Sequence, residues 1–363
     1  MNRALVDGSF ELTDEINSVA KMRHGREVER RPTLALTMGD PAGIGPEVIA
    51  KALVGREVVR LCRPLVIGSM PVMERTVKSL GLPLRLAAVK ENEPLLGRQR
   101  LIPVLDPLEQ PLGPFSMGVA AKETGAASVA CITTAVRLAE AGSIQGMVTG
   151  PINKEAINLA GYHYPGHTEL LADLTHSQEV GMMIVGGPLK IMFVTTHLAI
   201  RNLPAALTPE CVGLAIRLAH RALRDHFGIA RPRIGVAALN PHAGEAGLFG
   251  DEEQRSILPA AREARRAGIQ AGDPLPADTL FGKAIRGEFD GVVAMYHDQG
   301  LIPLKLMAFG KCVNLTVGIP IIRTSVDHGT AYDIAGRGLA DPGSLVEAVR
   351  LAARLAARRR GKG

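Results

Sequence analysis

The chain has no tryptophan, and it has only four tyrosines, eight phenylalanines and four cysteines in 363 residues. Leu, Val, Ile, Ala and Met must therefore fill the core. Few aromatics also means few platforms on which single-stranded nucleic acid could stack. Cys62, Cys131, Cys211 and Cys312 are scattered and form no C-x-x-C pair. This excludes the common zinc-ribbon and dithiol motifs and points to reduced thiols in a cytoplasmic protein. No run reaches the ~18 apolar residues of a membrane span. The first residues lack the apolar stretch of a secretory signal. Residues 1–30 carry both signs of charge and read as a loosely attached extension.

The chain is 46% hydrophobic and 21% charged, which suits a globular enzyme with a sizeable core. Its formal net charge is +6. The excess lies at the very end, where Arg350, Arg354, Arg358, Arg359, Arg360 and Lys362 stand with no acid after Arg350. The remainder is near neutral. Such a tail reads as a solvated helix end favoured by the helix dipole, not as a nucleic-acid surface.

From Thr33 onward, short apolar runs that end in Gly, Asn or His alternate with stretches of helical period. The pattern predicts strands at 34–38, 65–67, 147–149, 233–239 and 291–296. It predicts helices at 46–53, 71–80, 119–141, 208–227 and 252–267. Two paired strands, 182–185 and 190–196, flank the Gly186-Gly187-Pro188 turn. A closing helix runs to about Arg358 with Ser344 as its N-cap. Alternation of this kind implies an α/β fold on a largely parallel sheet.

Three histidines stand out by position. His197 follows the predicted strand ending at Thr196, His242 follows the one ending at Leu239, and His297 follows the one ending at Tyr296. Ligands of open α/β sheets gather just past the carboxyl ends of strands. Three imidazoles meeting there would hold a metal ion and leave positions open for substrate oxygens. The alternative is three unrelated loop histidines. Near the start, Gly39-Asp40-Pro41-Ala42-Gly43-Ile44-Gly45-Pro46-Glu47 joins the first strand to the first helix. Its glycines suit either a close approach to an anion or a tight turn. It is not the G-x-G-x-x-G dinucleotide fingerprint.

Near the end stands Asp327-His328-Gly329-Thr330-Ala331-Tyr332-Asp333-Ile334-Ala335-Gly336-Arg337-Gly338. This segment and the glycine-rich turn, at opposite ends of the chain, together resemble the isocitrate and isopropylmalate dehydrogenase superfamily. Gly150-Pro151-Ile152-Asn153-Lys154, Gly166-His167-Thr168-Glu169, Thr195-Thr196-His197, Asn240 to Glu245, Pro276-Ala277-Asp278-Thr279, Met295 to Gly300 and Arg323 to Gly329 narrow the match. From about Thr33 to Leu355 the chain resembles the 4-hydroxythreonine-4-phosphate dehydrogenase family of pyridoxine biosynthesis.

The resemblance implies a two-domain α/β/α fold with the active site in the interdomain cleft. Residues 31–157 with 315–363 would form a cofactor-side domain, and 158–314 a central metal, substrate and dimerisation domain. It implies metal ligands at His197, His242 and His297, with zinc, cobalt, manganese or magnesium as the ion. Substrate contacts are implied at His167, Thr168, Lys305, Asn314 and Arg323. His328, Gly329, Thr330, Ala331 and Asp333 would line the site of NAD or NADP. Asp278 and Asp298 are candidate bases, Asp298 equally an orienter of a ligand histidine, and Lys305 is a third catalytic candidate. A homodimer is implied, with substrate groups contributed across the interface near Lys305 and Arg323.

The forms Leu248-Phe249-Gly250 and Ile302-Pro303-Leu304-Lys305-Leu306 depart from the usual vitamin B6 enzymes. They resemble a subgroup that oxidises 4-phospho-D-threonate or 4-phospho-D-erythronate. The expected reaction is oxidation at C3 of a 4-phosphorylated 3-hydroxy acid, followed by decarboxylation. Phosphate acetyltransferases share the fold type, so acyl transfer is one rival reading, beside a zinc hydrolase and a non-catalytic binder of phosphorylated metabolites.

Overall fold

The computed structural model describes residues 31–91, 93 and 101–360. The expected N-terminal extension, residues 1–30, lies outside the described residues. The strands are β1 (Thr33–Thr37), β2 (Arg63–Ile67), β3 (Arg85–Ala88), β4 (Leu101–Leu105), β5 (Gly146–Thr149), β6 (Gly181–Gly186), β7 (Leu189–Phe193), β8 (Arg233–Ala237), β9 (Gln270–Leu275), β10 (Gly291–Ala294), β11 (Val313–Val317) and β12 (Arg323–Ser325). The α-helices are α1 (Gly45–Val54), α2 (Arg56–Leu61), α3 (Met70–Ser79), α4 (Lys122–Glu140), α5 (Lys154–Leu159), α6 (His167–Leu174), α7 (Leu203–Ala206), α8 (Pro209–Arg221), α9 (Leu258–Arg266), α10 (Ala277–Ile285), α11 (His297–Ala308) and α12 (Gly343–Arg360). The α/β class expected from the sequence is the class observed.

The strands form one twelve-stranded sheet in the order β3-β4-β2-β1-β5-β12-β11-β6-β7-β10-β8-β9. From β3 to β12 neighbouring strands are parallel. β11 runs antiparallel to both β12 and β6, and β6 antiparallel to β7. Parallel pairing then resumes through β10, β8 and β9. The sheet is thus two parallel sets running in opposite directions, joined where β11 and β6 alternate. β1, β5 and β10 are buried at every position, as continuous apolar strands covered on both faces should be.

The first and last parts of the chain are stitched together. The Ile44 amide donates to the Thr330 carbonyl at 3.0 Å. The Tyr332 hydroxyl donates to Asp40 Oδ2 at 2.7 Å. The buried Glu47 accepts from the Ala340 and Gly338 amides, while Lys51 donates to Glu47 and to the Gly338 and Ala340 carbonyls. The glycine-rich turn therefore serves packing. A Cβ on Gly45 would lie 2.1 Å from the Met38 carbonyl oxygen, and Gly39, at φ +72°, has Pro151 O 2.5 Å from the same position. Of the two readings of this turn, the tight strand-to-helix connection is the one built here.

Two local expectations are corrected. Ser344 does not cap α12 but lies inside it, accepting from the Asp327 amide, and Asp341 Oδ1 instead takes the Gly343 amide at 2.8 Å. The basic tail is not merely solvated. Arg350 pairs with Glu57 and Glu347, Arg354 lies over the Phe227 ring, Arg358 donates to the Phe227 carbonyl and Arg359 to that of Pro320. The apolar side of α12, including Leu345, Val349, Ala352 and Leu355, is buried. Cys62, Cys131 and Cys312 are buried, Cys211 is exposed, and all four are free thiols. No helix among the described residues is long and apolar enough to cross a membrane.

Candidate active site

A cavity of about 350 Å³ opens over the strands where the sheet reverses. Its wall takes Thr149 from the end of β5, Arg323 and Ser325 from β12, Asn314 from β11 and Met182 from β6. The segment after β5 adds Gly150, Pro151, Ile152 and Lys154, the start of α6 adds His167, Thr168 and Glu169, and the segment after β7 adds Thr196 and His197. His328 and Gly329 close one side.

Arg323 is the bulkiest fully buried side chain of this wall, at 1% exposure. Its Nε and Nη2 donate to Thr149 Oγ1 at 3.2 and 2.7 Å, and Nη1 donates to Thr316 Oγ1 at 2.9 Å. Two hydroxyls support the guanidinium, and no carboxylate among the described residues pairs with it. Burial pushes its pKa down to about 9, yet it remains a cation at neutral pH. Beside it, His167 Nε2 and Asn314 Oδ1 are buried with no hydrogen-bond partner among the described residues. Burial, reinforced by the Arg323 charge, holds the His167 pKa well below the usual imidazole value, so the ring is neutral. A buried, unneutralised cation with unpartnered polar atoms around it has the chemistry to receive an anion.

The three histidines follow β7, β8 and β10, and β7, β10 and β8 are adjacent parallel strands. The topology thus delivers all three to one edge of the sheet, with His297 between the other two. The His197 and His297 rings lie 5.9 Å apart, centroid to centroid. His297 Nδ1 shares a hydrogen bond of 2.6 Å with Asp298 Oδ1, which leaves Nε2 free to bind an ion. Asp298 thus touches His297 directly. The pKa of His197 is lowered by partial burial first, then by Lys154 and His297, with Glu169 opposing. Neutral imidazole is the form that binds metals.

His242 stands apart from this pair. It lies in a short left-handed turn in which His242, Ala243, Gly244, Glu245 and Ala246 all have positive φ, and its ring packs on Phe249 at 6.2 Å. Buried Glu253 anchors that turn by accepting from the Leu239 and Asn240 amides and the Asn240 side chain. Within one chain, among the described residues, no three His, Cys, Asp or Glu side chains close around a single point.

Other candidates lie outside the cavity. Lys305, on α11, pairs with Asp327 at 3.2 Å. Asp278 is exposed near the start of α10 and accepts from the Thr279 amide. Thr330 is buried against Gly43, Ala331 has a φ of +43°, and Asp333 is exposed. Lys154 and Glu169 do line the cavity, although sequence reasoning gave them no role. Both stood inside quoted motifs, which was the signal available for them.

A model of the family described as pyridoxal phosphate biosynthetic protein PdxA matches residues 60–352. The chain is 50% identical over 323 residues to a 4-hydroxythreonine-4-phosphate dehydrogenase of Desulfosudis oleivorans, spanning 89% of this chain and 95% of that protein. It is 47% identical over 330 residues to a D-threonate 4-phosphate dehydrogenase of Cupriavidus necator, spanning 90% and 98%. A crystal structure of 4-hydroxythreonine-4-phosphate dehydrogenase from Klebsiella pneumoniae, 41% identical, superposes with a TM-score of 0.81 over 90% of this chain and 99% of that one.

Proposed function

The chain belongs to the PdxA family of dehydrogenases acting on CH–OH groups, and we propose that it oxidises a 4-phosphorylated 3-hydroxy acid with loss of its carboxylate. The substrate is 4-phosphohydroxy-L-threonine, 4-phospho-D-threonate or 4-phospho-D-erythronate. The observation that carries this reading is Arg323, a buried cation with no carboxylate, set beside unpartnered His167 and Asn314 in a cavity that also reaches His197.

In this reading Arg323, Asn314, His167 and Thr168 bind the phosphate. Arg323 supplies charge, and Thr149 and Thr316 fix the plane of its guanidinium. Neutral His167 and the Asn314 amide supply directed hydrogen bonds. His197 and His297, with His242, would hold a divalent ion, with Asp298 orienting His297. Such an ion lowers the pKa of a hydroxyl bound to it, which eases its deprotonation. His328, Gly329, Thr330, Ala331 and Asp333, of which the first two line the cavity, would hold NAD or NADP, which would supply the hydride acceptor.

We further propose a cytoplasmic homodimer. Exposed apolar side chains flank each of the three histidines: Leu198 and Ile200 after His197, Leu248 and Phe249 after His242, and Ile302, Leu306, Met307 and Phe309 on or next to the helix that begins at His297. A patch of this kind on one chain marks a surface that another protein covers. A second copy laid over it would enclose the ion site, and Lys305 lies on the same helix. The domains would be 31–157 with 315–363, and 158–314, meeting in the continuous sheet at β11.

The test is a panel of the three substrates with NAD and with NADP, in buffers with and without divalent ions, followed by absorbance of reduced nicotinamide. Turnover of at least one substrate, lost on chelation, is expected. No reduction with any of the three in metal-supplemented buffer would overturn the reading.

A further inference from the structure

The cavity has two positive poles, and the phosphate-binding role proposed above uses one. The deep pole is Arg323. The second is Lys154, the first residue of α5, which lines the same cavity on the side of His197. Asn153 caps α5 by accepting from the Ala156 amide at 2.9 Å, which fixes the backbone from which the lysine springs. No carboxylate forms an ion pair with Lys154 among the described residues. Glu169 also lines the cavity, and the two side chains act on His197 in opposite directions. Lys154 is exposed and Arg323 buried, so the poles differ in depth as well as position.

From this two-pole geometry we propose that Lys154 is a specificity-determining residue that binds a second anionic group, the carboxylate of a substrate whose phosphate is held at Arg323. A molecule with one anionic end satisfies only the deep pole. A molecule with anions at both ends spans the cavity and brings its middle carbons past His197. The inference rests on the anion-binding role of Arg323 given above.

Two probes separate the poles: 3-phosphoglycerate carries a phosphate and a carboxylate, and glycerol 3-phosphate carries the phosphate alone. Titration calorimetry on the full-length protein is expected to show tighter binding of 3-phosphoglycerate. Lys154→Met should weaken 3-phosphoglycerate ~10-fold, the scale of one charge-assisted hydrogen bond, and leave glycerol 3-phosphate unchanged. Lys154→Arg should retain most of the preference, and Glu169→Gln should increase it. The substituted position is exposed, so a melting curve should match that of the wild type. Equal loss for both probes, or no loss for either, overturns the role of Lys154 alone. If the wild type binds neither probe, or Arg323→Met leaves both affinities unchanged, the anion-site reading itself fails.

Discussion

Replacing Arg323 by methionine should make the ligand-free protein more stable and the liganded protein less so. Burial alone lowers its pKa from the ordinary guanidinium value to about 9. At about 1.4 kcal/mol per pKa unit, this corresponds to roughly 5 kcal/mol against holding the charge inside. Methionine has a similar length and carries no charge. The loss on substitution is the set of three hydrogen bonds to Thr149 and Thr316. At about 1 kcal/mol each these return roughly 3 kcal/mol. The balance favours the variant by about 2 kcal/mol, a rise of roughly 3 °C in melting temperature for a chain of this length. Addition of 4-phospho-D-threonate should reverse the order. At a hundred times its Kd a ligand stabilises the folded state by about 2.7 kcal/mol, a term the variant lacks. Differential scanning calorimetry with and without the ligand reads both signs. A variant that melts below the wild type without ligand, yet still gains stability from the phosphate compound, would refute the reasoning: the guanidinium would then be structural.

Two further outcomes are expected. Asp298→Asn should weaken metal binding about 10–100-fold, measured by competition with a chelating dye, while circular dichroism stays unchanged, because the side chain is exposed and acts through His297 Nδ1; unchanged affinity would remove its orienting role. Leu306→Glu with Phe309→Glu, both 83% exposed on one chain, should leave the fold intact and give a monomer by light scattering at micromolar concentration with activity lost; a fully active monomer would refute the paired site.

The sequence announced the buried parallel strands because each is a short apolar run stopped by Gly, Asn or His, and β1, β2, β5, β8 and β10 all stand within a few residues of their expected places. The β6–β7 hairpin was legible from its glycine-proline turn. What escaped had competing local signals. β4 carries Pro103 although it lies between two other strands, and β9 holds both a glycine and a proline at the sheet edge. β12 is the polar tripeptide Arg-Thr-Ser, which reads as loop until its arginine is seen to be buried. α11 contains Gly300 and Pro303, residues that argue against a helix. In the site, strand-end position placed the histidines on one edge, because topology follows from hydrophobic pattern. The left-handed turn that sets His242 apart depends on long-range anchoring by Glu253, which no local window contains. Lys154 went unassigned because a lysine acquires meaning only from the cavity it faces.

The stitching between the two ends of the chain bears on how the protein is made. Glu47 and Lys51 find their partners at residues 338 and 340, and β12 inserts between β5 and β11 near the middle of the sheet. The half that leaves the ribosome first must therefore wait: its central edge at β5 stays unpaired for roughly 175 more residues, and its first buried glutamate lacks the amides of 338 and 340 until almost three hundred more have been synthesised. At about 5–20 residues per second that interval lasts roughly 15–60 seconds. Contacts of such sequence separation slow folding, and an open parallel edge invites pairing with another chain. The nascent protein is a natural client for chaperones over that interval, and chains cut short before residue 323 leave the β5 edge bare.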